Sequence, residues 1–180
     1  MGLTLPILDG AVLIGRSLMA KLCAAGVRLR SQIDRQFPGR DKRSDGWIGD
    51  TDHAQRKSDH NPDSEGIVYA LDIDENMGKG AARNGRTARH LANQLIAYAM
   101  SDLPGHNRIK YVVYEDQIAS GTYSGSWWKW RGKGYGHLQH IHISFTKAAK
   151  LDDTIFPLPV LTSNPAKKIA WSRALKNARR

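Results

Sequence analysis

Strands and helices that interleave through hairpin-length links place this sequence in the α+β class. Three observations carry that assignment. Leu29, Ile33 and Phe37 recur every four residues, as one face of a helix does. Ile109, Tyr111 and Val113 alternate, as do the residues of 140–145, which is the period of a half-buried strand. Long stretches rich in Gly, Asp, Asn and Pro separate these segments.

Taken in order, Val12, Leu13, Ser17, Met19, Leu22 and Cys23 fall in a rough helical rhythm within residues 9–25, weakened by Gly10 and Gly15. The helix through Leu29 and Ile33 follows, and Pro38 with Gly39 stops it. Residues 38–66 lack periodicity and read as a long ordered loop, a kind of segment that usually carries function. Residues 66–74 read as a strand that runs into a second glycine-bearing loop ending at Gly85. Thr87 caps a helix over 88–101, with Leu91, Leu95 and Tyr98 on one face. After the strand at 109–113 comes an aromatic, glycine-rich loop over 121–136, then the last strand at 140–145. Residues 163–180 hold six basic residues and no acidic one, and Pro165 can open a short helix there. The expected organisation is an N-terminal helical extension over 1–27, a central domain over 28–150 and a basic tail over 151–180.

The chain has 180 residues, one domain's worth. Lys and Arg number 27 against 17 Asp and Glu, a net charge of +10 that favours a polyanionic partner: nucleic acid, cell wall or membrane surface. A single cysteine, Cys23, excludes an internal disulfide and any multi-cysteine zinc finger, so a bound metal must rest on histidine and carboxylate. The apolar stretch over 3–27 is interrupted by Asp9, Arg16 and Lys21 and lacks a basic leader. Neither a secretory signal nor a membrane span is expected from it.

The chemistry concentrates in two places. On a strand, His140, His142 and Ser144 share one face while Ile141, Ile143 and Phe145 share the other. The isoleucine face seeks the core, which aims the imidazoles at a cleft, and His137 on the preceding turn is close enough to join them. Upstream, His60 follows Ser58 and Asp59, and Asp72 and Asp74 project together from the strand over 66–74. Two neutral imidazoles and one carboxylate, with a fourth position open to water, make the ligand set of a catalytic zinc. His60, Asp72 and His142 would supply it, with His137 and His140 as candidates for moving the proton.

These residues resemble a known group. Ser58-x-His60, Ala70-x-Asp72 and a terminal His140-x-His142 resemble the zinc peptidases of the lysostaphin, D-Ala-D-Ala-peptidase and Hedgehog-like group. The arrangement His137-x-x-His140-x-His142 looks most like the penicillin-insensitive murein endopeptidase branch and the D-Ala-D-Ala carboxypeptidase-like domains of phage lysins. The resemblance covers roughly residues 28–146, including a lead-in from Phe37 to Asp50 similar to that of actinobacterial and actinophage members. It implies a small antiparallel sheet bearing the zinc site, flanked by helices. It also implies Zn2+ on His60, Asp72 and His142, with Ala70-x-Asp72 selecting Asp72 over Asp74. Two departures stand out: Asp72 follows His60 by twelve residues where the group has seven, and Gln139 occupies the place of a glutamate that serves several relatives as base. In the branch with extra histidines those take over, so His140 is the expected base and His137 its support.

The resemblance further implies an arginine that stabilises the developing oxyanion, at Arg30 here. Ser58, Trp127 and Trp128 are candidates for the substrate groove. The implied substrate is peptidoglycan, hydrolysed at its stem peptides or cross-links by a phage lysin or a virion-associated enzyme. Holin-dependent release from the host cytoplasm or delivery in a virion would bring it to the wall, and the basic tail would engage an anionic wall polymer or a virion partner. A metal-dependent ββα nuclease is the alternative suggested by Asp59-His60-Asn61-Pro62 and the charge, but it leaves both strands unexplained. A non-catalytic wall-binding relative is the third reading, and Gln139 keeps it open.

Overall fold

The computed structural model describes residues 20–49, 57–78, 86–122 and 127–177. Within them the elements are β1 (Lys21–Leu22), α1 (Ala24–Gln36), β2 (Ile67–Val68), β3 (Ala70–Asp74), α2 (Arg86–Ala99), β4 (Ile109–Tyr114), β5 (Gln117–Ser120), β6 (His140–Phe145) and α3 (Pro165–Asn177). The α+β expectation holds: an antiparallel sheet of order β3-β6-β4-β5 is accompanied by three helices. A short parallel pair, β1 with β2, lies outside it.

Register follows from alternation. Asp72 pairs with His142, Asp74 with His140, Leu71 with Ile143 and Ile73 with Ile141. On the other side of β6, Tyr111 pairs with Ser144, Val113 with His142 and Val112 with Ile143. Directly paired residues share a face, so one face of the sheet carries Asp72, His140, His142, Ser144 and Tyr111. The other carries Leu71, Ile73, Val112, Ile141 and Ile143, all buried in a core that α1 and α2 complete with Leu29, Ile33, Leu91 and Leu95. Each such side chain contributes about 1.5–3 kcal/mol when taken out of water. A one-residue slip of β6 would exchange the two sets, which makes the register self-enforcing.

Several elements depart from the sequence expectations. Residues 1–19, where most of the N-terminal helical rhythm falls, lie outside the described residues. Lys21–Leu22 is a strand, and the first described helix starts at Ala24, inside the expected extension. Gly26 eases this junction: a Cβ there would stand 2.8 Å from Leu22 Cδ1, so a larger residue would push that leucine aside. The strand expected over 66–74 breaks at Tyr69, whose amide turns away to the Asp59 carbonyl at 3.1 Å. The helix expected over 88–101 spans 86–99, and Ser101 Oγ closes its end by donating to the Tyr98 carbonyl at 2.7 Å.

β5 has no counterpart in the sequence reading. It forms a two-residue hairpin with β4 through Glu115 and Asp116, with φ of 48° and 65°. Those angles belong to a type I′ turn, normally signalled by Asn or Gly, and neither residue stands here. Asn and Asp tolerate the left-handed region, whereas Glu115 is held there by the pairing around it.

The residues after 150 also belong to the core. Phe156 and Leu158 are fully buried, and a wholly buried Arg108 ties them in. Its guanidinium donates to the carbonyls of Gly105 (2.9 Å), Asp152 (3.1 Å) and Thr154 (2.7 Å) and lies 4.2 Å from the centre of the Phe156 ring. Only α3 answers to the expected basic tail: Lys167, Lys168, Arg173 and Lys176 are exposed on it and Leu175 anchors it. No helix among the described residues is long and apolar enough to cross a membrane.

Candidate metal centre

Three chain segments bring one cluster together. β6 presents His142, β3 presents Asp72 directly opposite, and a loop swings His60 over both. Ser58 shapes that loop: its hydroxyl accepts from the His60 amide at 3.2 Å and its carbonyl from Asn61 at 3.1 Å. The His60 carbonyl in turn accepts from Gly49 at 3.0 Å. Ser58 thus positions the histidine, a task that does not require substrate contact.

The donor atoms converge. His60 Nε2 lies 3.1 Å from His142 Nδ1 and 3.3 Å from Asp72 Oδ2, while His142 Nδ1 lies 2.9 Å from Asp72 Oδ1. A tetrahedral ion with bonds of about 2.0 Å sets its ligands about 3.3 Å apart, so these separations match the edges of such a centre. The side chains of His60 and His142 are each 7% exposed. His60, Asp72 and His142 can therefore hold a metal ion with the residues as they stand.

The electrostatics agree. Burial works against ionisation of Asp72, yet the hydrogen bonds and charges of His142 and His60 hold its carboxyl well below the usual range. Burial also opposes a cation on His60, but Asp72 outweighs it and pushes that imidazole up. For His142 burial prevails over Asp72 and pushes it down. An anionic carboxylate between two imidazoles is a place prepared for positive charge.

The far side of His142 is braced. Its Nε2 lies 3.0 Å from Ser144 Oγ, so with the Nδ1 lone pair committed to the centre, Nε2–H donates to Ser144. Ser144 and Tyr111 lie beside Asp59 and, with Lys110, hold its carboxyl below the usual range; its oxygens accept from Lys110 Nζ at 2.8 and 2.7 Å. The Tyr111 ring stacks on His142 with centroids 5.5 Å apart. Sequence reasoning placed Ser144 on the right face without giving it a role and missed Tyr111 and Lys110. Strand alternation pointed to Tyr111, but only the fold brings Lys110 to Asp59.

Asp74, the rival of Asp72, is spent elsewhere. Oδ2 accepts from the Ser44 hydroxyl at 2.6 Å and Oδ1 from the Asn76 amide at 2.8 Å. The lead-in loop is pinned by a buried Arg40, which donates to Asp34 at 2.7 Å and to Asp45 at 2.8 Å. Its far end, Gly46, pairs with Asp72 through both backbone groups and so covers the free edge of β3 at the ligand. Arg40 is a part of the site's frame that the sequence reading did not single out.

The other two histidines stand at the mouth. His137 Nδ1 lies 2.6 Å from His140 Nε2, which in turn lies 3.8 Å from Asp72 Oδ1. Burial, and then the neighbouring imidazoles of His142 and His140, push His137 down to about 4. His137 takes φ 55° at the end of a loop whose Gly132, Gly134 and Gly136 are also left-handed. The β4–β5 hairpin tip holds this loop: Glu115 and Asp116 amides donate to the carbonyls of His137 (3.1 Å) and Gly136 (2.9 Å), and Asp116 Oδ1 accepts from the Gly136 amide at 2.8 Å. Arg89 of α2 fixes the tip through an ion pair with Glu115.

The remaining three expected site residues take up three different positions. Trp128 is buried in the core, packed on Gly121, so its indole does not wall an open groove. Trp127 is 58% exposed, free to meet a ligand. Arg30 lies on α1, which packs against the opposite face of the sheet, and it forms no hydrogen bond or ion pair with Asp72, His137, His140 or His142. No family model, curated protein or solved structure matches the chain.

Proposed function

We propose that this protein is a zinc peptidase that hydrolyses peptide bonds in the stem peptides or cross-links of peptidoglycan. The observation that carries the reading is the convergence of His60 Nε2, His142 Nδ1 and the Asp72 carboxylate at tetrahedral-edge distances, beside a second, more exposed histidine pair. The motif resemblance through Ser58-x-His60, Ala70-x-Asp72 and His140-x-His142 supports the substrate class.

Two imidazoles and one carboxylate suit zinc, which when bound supplies a Lewis acid for the scissile carbonyl and acidifies a water to near neutrality. The chain's own residues do the rest. Asp72, anionic and shared between the two ligand histidines, fixes their orientation. Ser144 accepts the Nε2–H of His142 and so leaves its Nδ1 free to coordinate. His140, 24% exposed at its side chain, takes the proton of the attacking water at Nε2 and returns it to the leaving amine. His137, held neutral, keeps His140 in place at rest and gives up its contact with Nε2 when that nitrogen takes the proton. Trp127 offers an exposed apolar wall near the start of the His137 loop.

The charge distribution suits the same setting. Grooves flank α3, one lined by Arg28, Arg35 and Lys167, the other by Arg86, Arg89 and Lys176. They give the protein a cationic side for an anionic wall polymer or a virion partner, and the reading places its action at the cell wall.

The test is mass spectrometry of soluble products from peptidoglycan incubated with zinc-loaded protein, beside metal-free protein and a His142→Ala variant. New amino termini or released D-Ala, confined to the intact metal-loaded sample, are expected and name the bond. Zinc bound at the centre with no product from any bond replaces this reading with that of a wall-binding module.

A further inference from the structure

We propose that His137, His140 and Asp72 form a second, weaker site for a divalent cation such as zinc, and that filling it blocks turnover. The proposal rests on the deep centre being the metal site of a hydrolase. It adds a regulatory ion to it.

The donor set is again two imidazoles and a carboxylate. His137 Nδ1 and His140 Nε2 lie 2.6 Å apart, His140 Nε2 lies 3.8 Å from Asp72 Oδ1, and the three donor atoms all fall within 4.8 Å of one another. Asp72 is the hinge between the two groups. Its Oδ2 faces His60, while Oδ1 faces His142 at 2.9 Å and His140 beyond. A carboxylate has lone pairs enough on its two oxygens to serve two cations at once.

Access separates the sites. The His60 and His142 side chains are nearly sealed, whereas the His137–His140 pair lies at the mouth, with His140 partly open to solvent. An ion from solution reaches the outer donors first, and water completes its coordination there. Its affinity is lower for three physical reasons. The outer edges of 2.6 and 3.8 Å are less regular than the 2.9–3.3 Å of the deep set. His137 rests on a glycine loop rather than a strand, so ordering it costs more. Two cations sharing one carboxylate repel each other. The inhibition follows from lone pairs: the nitrogens that would take a proton during hydrolysis are the same ones that would bind the second ion.

The experiment counts ions. Metal-free protein is titrated with Zn2+ against a chromophoric chelator, and with Co2+ followed by its absorption, for the wild type, His137→Asn, His140→Ala and His60→Ala. Asparagine tolerates the left-handed backbone of position 137 but lacks an imidazole, and His140→Ala tests the same site from the strand should the loop variant misfold. The wild type is expected to bind two ions per chain, the second more than tenfold weaker. His137→Asn and His140→Ala keep the tight ion and lose the weak one, and product release by the wild type rises with the first equivalent and falls with the second. A single ion per chain in the wild type overturns the proposal, as does a weak ion that survives both outer substitutions. A tight ion that survives His60→Ala instead overturns the deep centre, and with it the peptidase reading.

Discussion

The deep and outer halves of the histidine cluster are built by different means. His60, Asp72 and His142 are fixed by sheet register and by a loop stitched to it, and they are almost sealed from solvent. His137 and His140 meet because a glycine-rich loop is held against a hairpin tip, and they remain partly open. The difference teaches that strand register can set and seal a group of donors, whereas a tethered loop can bring a side chain such as His137 against a strand residue and leave the pair partly open. Each half can be perturbed through residues that the other does not use.

Asp72 is the exception, and its loss gives the largest effect. Asp72→Asn keeps the shape but removes the charge both halves share, so hydrolysis is expected to vanish and tight metal binding to fall by more than ~100-fold, beyond what loss of a bracing hydrogen bond does. Retained tight binding by equilibrium dialysis would merge the two halves into a simple histidine cluster. His140→Ala comes next: it should lower kcat by ~10²–10⁴-fold while the tight ion stays bound, since a positioned acid–base group contributes about that much. A parallel loss of the tight ion would show that the outer pair is part of the deep centre.

Smaller changes sharpen the contrast. Ser144→Ala removes the brace on His142 Nε2 and should weaken metal affinity ~10–100-fold, read by chelator competition, with the outer pair untouched. Asp116→Gly keeps the left-handed backbone of that position and breaks one hydrogen bond to the His137 loop, worth about 1 kcal/mol. It is expected to lower kcat a few-fold with unchanged tight metal affinity, and an affinity loss equal to that of Ser144→Ala would dissolve the distinction.

Much of the deep half was legible because it depends on local rules. The two-residue period of 140–145 puts His140, His142 and Ser144 on the face opposite Ile141, Ile143 and Phe145, and the buried isoleucines enforce it. Asp72 against Asp74 was not decided by alternation, since both project from one face. The decision came from a contact 30 residues away in sequence, Ser44 with Asp74, which leaves Asp72 to face the histidines. The same limit explains Trp128, which shares its aromatic stretch with Trp127 yet is buried where Trp127 is exposed. In a glycine-rich loop no period tells inside from outside.

By itself, the sequence determined the α+β class, the two-faced strand and the histidine and carboxylate types available for a metal, because periodicity, residue chemistry and the lone cysteine are local properties of the chain. Only the tertiary structure decided that His60 closes over Asp72 and His142, that Arg40 and Gly46 frame that carboxylate, and that residues after 150 complete the core around Arg108. Those contacts join segments tens of residues apart, and their selection is settled by burial and hydrogen-bond satisfaction across the whole fold rather than along any one stretch of it.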